Sequence, residues 1–244
     1  MKNSVERKTV NQVSLLQGLA YGDYEGSVPV GCLKELGDTG IGTFDALNGE
    51  LILLNGTVSR AAWDGAVEEV GDDEKVPFAD VTFFDVDKSI NLDGIGSIDA
   101  LKEKLDKNIQ ETGKNHLYIV RAFGSFQKMK VRSVPPQKKP YRPLVEVLEK
   151  EQTVFEYEEI SGTVVGLCCP EYMSNINAVG WHFHFVSEDK TAGGHVLDLS
   201  AETLDVDLDK ITGFRMLLPD SEMFNAVDLS RDQSRDIKKI ETGE

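Results

Sequence analysis

Apolar residues recur at helical spacing in residues 14–21, SLLQGLAY, and again over residues 28–36 ahead of Gly37, so the chain predicts two short entry helices. From residue 40 to residue 63 the pattern changes to apolar stretches interrupted by Asn48-Gly49 and Asn55-Gly56. Both dipeptides are type I′ hairpin signals, and a β-meander is expected there. Residues 76–84 alternate, with β-branched and aromatic side chains, and predict another strand. An acidic loop then leads to Ser97, a residue type suited to an N-cap. Over residues 97–112, Ile98, Leu101 and Leu105 fall on one stripe of a helix while Lys102, Glu103 and Lys107 stay in water.

Residues 116–134 give two strand-like runs around Gly124, and the stretch PPQKKPYRP over 135–143 punctuates the chain. Few backbone donors survive there, and residues preceding proline favour extended geometry, so a domain join is expected near residue 145. Beyond it, residues 155–167, 178–187, 194–199 and 204–218 read as strands with no long helix between them. The expected fold class is α/β of the α+β type in two domains. Residues 1–145 form an N-terminal mixed β-sheet with helices, and residues 146–244 form a mostly-β barrel. The acidic tail after Asp220 shows little helix or core pattern and is expected to wrap back onto the rest of the molecule.

Composition narrows the function classes. With 40% hydrophobic and 28% charged residues, the 244-residue chain is of the globular kind and can bury a core. A formal net charge of −16 repels polyanions, so nucleic acid is not an expected partner. The first 13 residues lack the apolar core of a secretory signal and no 18-residue apolar run follows, so a cytoplasmic protein without membrane contact is expected. Three cysteines, Cys32, Cys168 and Cys169, give no disulfide framework. The vicinal pair points to opposite faces of a strand and is read as packing.

The chemistry concentrates between Gly180 and Asp198. Three of the four histidines lie here, as H-x-H followed ten residues later by Gly-Gly-His. The period of two sends His182 and His184 to one face and Trp181, Phe183 and Phe185 to the other. A turn within residues 187–194 lets the chain reverse so that His195 can meet the first two. Three neutral imidazoles suit Zn²⁺, Fe²⁺, Mn²⁺ or Ni²⁺ and leave coordination positions open, as a catalytic site requires. His116 is expected to have no such role. Glu188, in H-x-H-x3-E, keeps open a cupin-like set in which a carboxylate joins the histidines, with a metal-dependent dioxygenase or isomerase as the alternative function.

The closer resemblance is to the alpha-acetolactate decarboxylase family, and it covers nearly the whole chain. Residues 180–196 resemble the family's glycine-hydrophobic-His-hydrophobic-His-Phe run, short acidic loop and Gly-Gly-His-Val. GDTGIGTFDALNGELILLNG over 37–56, VRSVPPQKKPY over 131–141, GTVVG over 162–166 and DIKKIE over 236–241 are similar to further family segments in the same order. The resemblance implies decarboxylation of (S)-2-acetolactate to (R)-acetoin and CO2, with Zn²⁺ as electron sink for an enediolate. It implies His182, His184 and His195 as metal ligands and Glu50 and Glu241 as active-site carboxylates, with Arg132 and Thr43 in the same pocket. A site between the two domains, reached by the returning tail, and a homodimer are implied as well.

Overall fold

The computed structural model describes residues 7–242, without the side chains of Lys238, Glu241 and Thr242. Strand β1 (Thr9–Val13) runs into helix α1 (Leu16–Tyr21), which Gly22 ends at φ 103°, the left-handed geometry that glycine adopts without a Cβ clash. A two-residue strand β2 (Val28–Pro29) and helix α2 (Val30–Lys34) precede the meander β3 (Thr39–Thr43), β4 (Glu50–Leu54), β5 (Thr57–Ala61) and β6 (Val67–Glu69). The short β7 (Lys75–Val76) pairs back to β2, and β8 (Phe78–Thr82) inserts between β1 and β3.

Next come β9 (Lys88–Ile95), α3 (Ile98–Gln110), β10 (Leu117–Ser133), α4 (Leu144–Glu151), β11 (Thr153–Cys169), β12 (Gly180–Ser187), β13 (Gly193–Ile211) and β14 (Gly213–Leu217). Helices α5 (Glu222–Ala226) and α6 (Ser234–Thr242) end the described chain. The result is a strand-rich α+β fold. One sheet has seven strands in the order β14-β1-β8-β3-β4-β5-β6, and a second has five in the order β10-β11-β12-β13-β9. In the second, β10 also pairs with β13, so four strands close into a cycle and leave β9 as the added edge. Residue 145 falls inside α4, between β10 and β11, which pair from Tyr118↔Cys168 to Ser133↔Thr153. The seven-stranded sheet takes β14 from beyond that residue, and the five-stranded sheet takes β9 and β10 from before it.

Several local expectations change. Asn55 and Gly56 both have positive φ (52° and 78°) and join β4 to β5 as the dipeptide predicts, with Leu54 opposite Thr57. Asn48-Gly49 is not such a turn. A 3₁₀ turn over Asp45–Leu47 lengthens the β3–β4 connection, and Asn48 keeps φ at −74°. The acidic stretch before Ser97 is strand β9, paired with β13 through Ser89, Asn91 and Asp93, whose polar side chains face solvent. The two runs around Gly124 are one strand, because Gly124 lies against Gly162 and both strands pass through without a break. Residues 193–211 are likewise continuous. The tail after Asp220, expected to lack helix, forms α5 and α6, with Ile237 and Ile240 buried.

Capping and packing explain the helix that sequence placed best. The Ser97 side chain accepts the Ala100 N–H, and Leu101, Leu105 and Ile109 turn inward against β9, β13 and the aromatic side of β12. A separate apolar cluster joins α1, α4 and α6: Leu16, Leu19, Leu144, Leu148, Ile237 and Ile240 are all part of it.

Candidate metal centre and active site

Strand β12 carries the site. Its alternation places Trp181, Phe183 and Phe185 in the core shared with α3, where Trp181 stacks on Phe183 with centroids 5.8 Å apart and donates from Nε1 to Asp106 at 2.8 Å. Gly166 on β11 makes this possible, since a Cβ there would lie 2.3 Å from the Phe183 ring. The opposite face presents His182 and His184, 8% and 1% exposed. His195 stands directly across from His184 on β13, and Arg132 of β10 stands across from His195 on its other side. A register shift between Lys130 and Val131 precedes that pairing, and a bulge of this kind re-aims the side chains that follow it. Gly194, at φ 148°, lies so close that a Cβ would be 2.7 Å from the Arg132 carbonyl.

The three rings converge. His182 Nε2 lies 3.1 Å from His184 Nε2 and 3.0 Å from His195 Nδ1, and one ligand atom from each residue falls within 4.8 Å of the others. His184 Nδ1–H donates to the Leu51 carbonyl at 2.9 Å, which fixes its tautomer and turns the Nε2 lone pair toward the other rings. Burial pushes the His182 pKa down to about 3, and the nearby Arg132 charge adds to the effect. His184 is held well below its ordinary value, again by burial first and then by His182. All this keeps two buried imidazoles neutral, the state in which they ligate metal.

Coordination geometry gives a test of fit. A Zn–N bond of roughly 2.0–2.1 Å sets neighbouring nitrogens roughly 3.0–3.4 Å apart around one ion. The two short N···N distances match that spacing, so the donor set fits a divalent cation. Glu50 Oε2 lies 3.6 Å from His184 Nε2, placing a carboxylate beside the cluster.

Around these groups lies a small cavity of about 50 Å³. Gly42, Thr43 and Glu50 line it from the seven-stranded sheet, and Arg132, His182, His184 and His195 from the five-stranded one. Larger grooves of about 600 and 680 Å³ exist elsewhere, but neither is lined by any of these residues. Of the residues expected at the site, Thr43, Glu50, Arg132, His182, His184 and His195 are therefore brought together. Glu241 belongs to α6, whose Ile240 reaches the cavity, but its side chain lies outside the described residues. Glu188, the carboxylate a cupin-like set requires, is exposed at the end of β12 and lines the separate 600 Å³ groove with Thr57, Ser161 and Lys190.

The apolar wall went unread in the sequence. Leu16, Leu19, Phe78, Leu144, Leu148 and Ile240 line the same cavity as the rings. A usable signal existed for α4, where Leu144, Val147 and Leu148 repeat at i, i+3, i+4 behind Pro143.

Buried neutral imidazoles, an adjoining carboxylate and a fixed cation in a small cavity are the equipment of an enzyme acting on a small polar molecule. The matching family model is alpha-acetolactate decarboxylase, over residues 10–231. The alpha-acetolactate decarboxylase of Methanosarcina mazei is 41% identical over 230 residues, 94% of this chain and 79% of that protein. That of Methylococcus capsulatus is 39% identical over 236 residues, 97% of this chain and 90% of its own length. An X-ray structure of alpha-acetolactate decarboxylase from Bacillus subtilis strain 168 superposes with a TM-score of 0.91 at 32% identity, covering 96% of this chain and 99% of that one. The chain belongs to the alpha-acetolactate decarboxylase family, and its enzyme class is that of the carboxy-lyases.

Proposed function

We propose that this chain decarboxylates (S)-2-acetolactate to (R)-acetoin and CO2, the step that supplies acetoin for butanediol formation, and that it does so in the cytoplasm as a homodimer with one Zn²⁺ per chain. The observation that carries the reading is the convergence of His182, His184 and His195 beside Glu50 and Arg132 in one small cavity, in a chain of this family.

Acetolactate bears a ketone next to the carbon that holds both hydroxyl and carboxylate. Breaking the bond to CO2 leaves an electron pair that must flow to the ketone oxygen, giving an enediolate. His182, His184 and His195 would hold a divalent cation, which would supply Lewis-acid stabilisation of that developing negative charge. Arg132, 3% exposed, keeps its charge throughout and orients the substrate carboxylate before it departs. Thr43 donates its hydroxyl proton to the Gly49 carbonyl at 2.9 Å, so its oxygen is free to accept from the substrate hydroxyl. Glu50 or Glu241, in its protonated form, then delivers a proton to one face of the enediolate carbon, and the product is acetoin. The apolar wall from α1, α4 and α6 keeps bulk water from competing for that step.

The deciding assay is simple. Purified protein is given acetolactate, and acetoin and CO2 are measured before chelation, after it, and after Zn²⁺ is restored. Release that stops on chelation and returns with the metal supports the reading. A zinc-loaded protein that yields neither product overturns it.

A further inference from the structure

Asn177 precedes His182 by five residues, in the connection between β11 and β12, and is 1% exposed. Its side-chain amide donates to Gln12 Oε1 on β1 at 2.9 Å and to Asp80 Oδ2 on β8 at 2.8 Å, and its Oδ1 accepts the Ala178 N–H at 2.7 Å. Gln12 in turn donates to the carbonyls of Ser14 at 2.7 Å and Ile176 at 2.9 Å. Gln12 and Asp80 are fully buried and stand opposite each other across the β1–β8 pair.

The backbone around Asn177 holds the cap of the cavity. Leu16 N–H, at the start of α1, donates to the Ile176 carbonyl at 3.0 Å, and Gln17 N–H donates to the Asn175 carbonyl at 3.3 Å. On the tail side, Asn175 Oδ1 accepts the Gln233 N–H at 3.0 Å just ahead of α6. The Gln17 side chain donates to the Arg231 carbonyl, and the Gln233 side chain to Tyr21 Oη at 2.8 Å. Ala178 belongs to the same apolar cluster as Leu16, Leu19 and Ile240, three residues that wall the cavity. One loop thus joins the strand of the histidines to two of the three helices that line the cavity, α1 and α6.

Burying a carboxylate and two amides together is a poor way to gain net stability, since apolar side chains of equal volume do as well. A network whose two amides use all their donors, as those of Asn177 and Gln12 do, does, however, permit one arrangement where apolar packing tolerates several. A cavity of about 50 Å³ responds to small displacements of its walls. We propose that Asn177 is a positioning residue of the site: it holds residues 174–178 in one arrangement and through them sets α1 and α6 against the three histidines. The catalytic part of this claim rests on the decarboxylase reading above, and the structural part does not.

Two readouts test it. N177S retains a local acceptor for the Ala178 N–H but cannot reach Gln12 or Asp80. It should stay folded by circular dichroism at the assay temperature, keep one zinc per chain, and lose about tenfold or more in kcat/KM, as ångström-scale misplacement does. Trypsin should also cut after Arg231 or Arg235 several-fold faster than in the parent protein, whether or not acetolactate is the substrate. N177D sets a second carboxylate against Asp80 and should lose more activity. Adding D80N removes that like-charge contact and should regain at least about threefold. Folded N177S with unchanged kcat/KM and an unchanged tryptic rate overturns the proposal. If N177S does not fold, the comparison of N177D with D80N/N177D decides, and no gain from D80N overturns it. Failure of the parent protein to release acetoin defeats the decarboxylase reading, while the tryptic rates still decide the structural link.

Discussion

His195 comes from a different strand than His182 and His184, so the cluster forms only when β12 and β13 pair in register. Each ring is buried, and each sits in a strand held by ladder bonds on both sides, so removing one imidazole leaves the sheet intact. His195→Ala and His182→Ala are accordingly expected to abolish zinc content and acetoin release while the circular dichroism spectrum persists. Full activity in a zinc-replete alanine variant would remove these residues from the site. Glu50 lies beside the cluster with 13% of its side chain exposed, so Glu50→Gln should retain most of the metal. Losing a general acid costs about 10²-fold or more in turnover, and unchanged single-turnover kinetics would discard that role. At this scale the sequence was most informative where side-chain type and spacing coincide, as in H-x-H plus Gly-Gly-His. The Leu51 carbonyl that orients His184 was invisible, because a backbone acceptor has no residue identity to read.

Helix α4 shows what a coarse reading of elements omits and why it matters. It follows a proline run that dominates the local pattern, so the i, i+3, i+4 repeat of Leu144, Val147 and Leu148, confined to eight residues, is easily passed over beside the neighbouring strands. Long strands were misread for the opposite reason. β10 and β13 exceed ordinary strand lengths, and glycine or acidic residues within them look like breaks, whereas the paired partner supplies the continuity. What was legible was period and cap, as in α3 with Ser97; what was not was long-range pairing, which no local window contains. Leu148 gives a test of α4 as the cavity's wall. It is 8% exposed, packs with α1 and α6 and lines the cavity. Leu148→Ala should lower unfolding free energy by about 2–4 kcal/mol in urea titration through the void it leaves, and raise KM while zinc content stays at the parent level. A variant with parental stability and KM would show that α4 does not close the pocket.

For the molecule as a whole, the neutral histidines tie stability to pH. The unfolded chain titrates His182 near pH 6.5, whereas burial holds it at about 3 in the folded protein. Between those two values the unfolded chain takes up a proton that the folded chain refuses, so acid favours unfolding. His184, also depressed, acts in the same direction. For His182 the contribution is complete above pH 6.5 and shrinks as pH falls toward 3, by about 2 kcal/mol between pH 6.5 and 5. Carboxylates with ordinary values near 4 are mostly still ionised at pH 5, so each imidazole changes charge far more than each carboxylate in that interval. Overall charge pulls the other way: at −16 the chain repels itself, and partial neutralisation at pH 5 relieves that strain. The two effects separate in a comparison of chelator-treated parent with His182→Asn, which removes the titrating ring but leaves the net charge nearly unchanged. Urea midpoints measured at pH 7.5 and 5.0 should fall more steeply in the parent than in the variant. Equal slopes would mean that the cavity hydrates enough to let His182 protonate in place, and the neutral cluster would have to be given up.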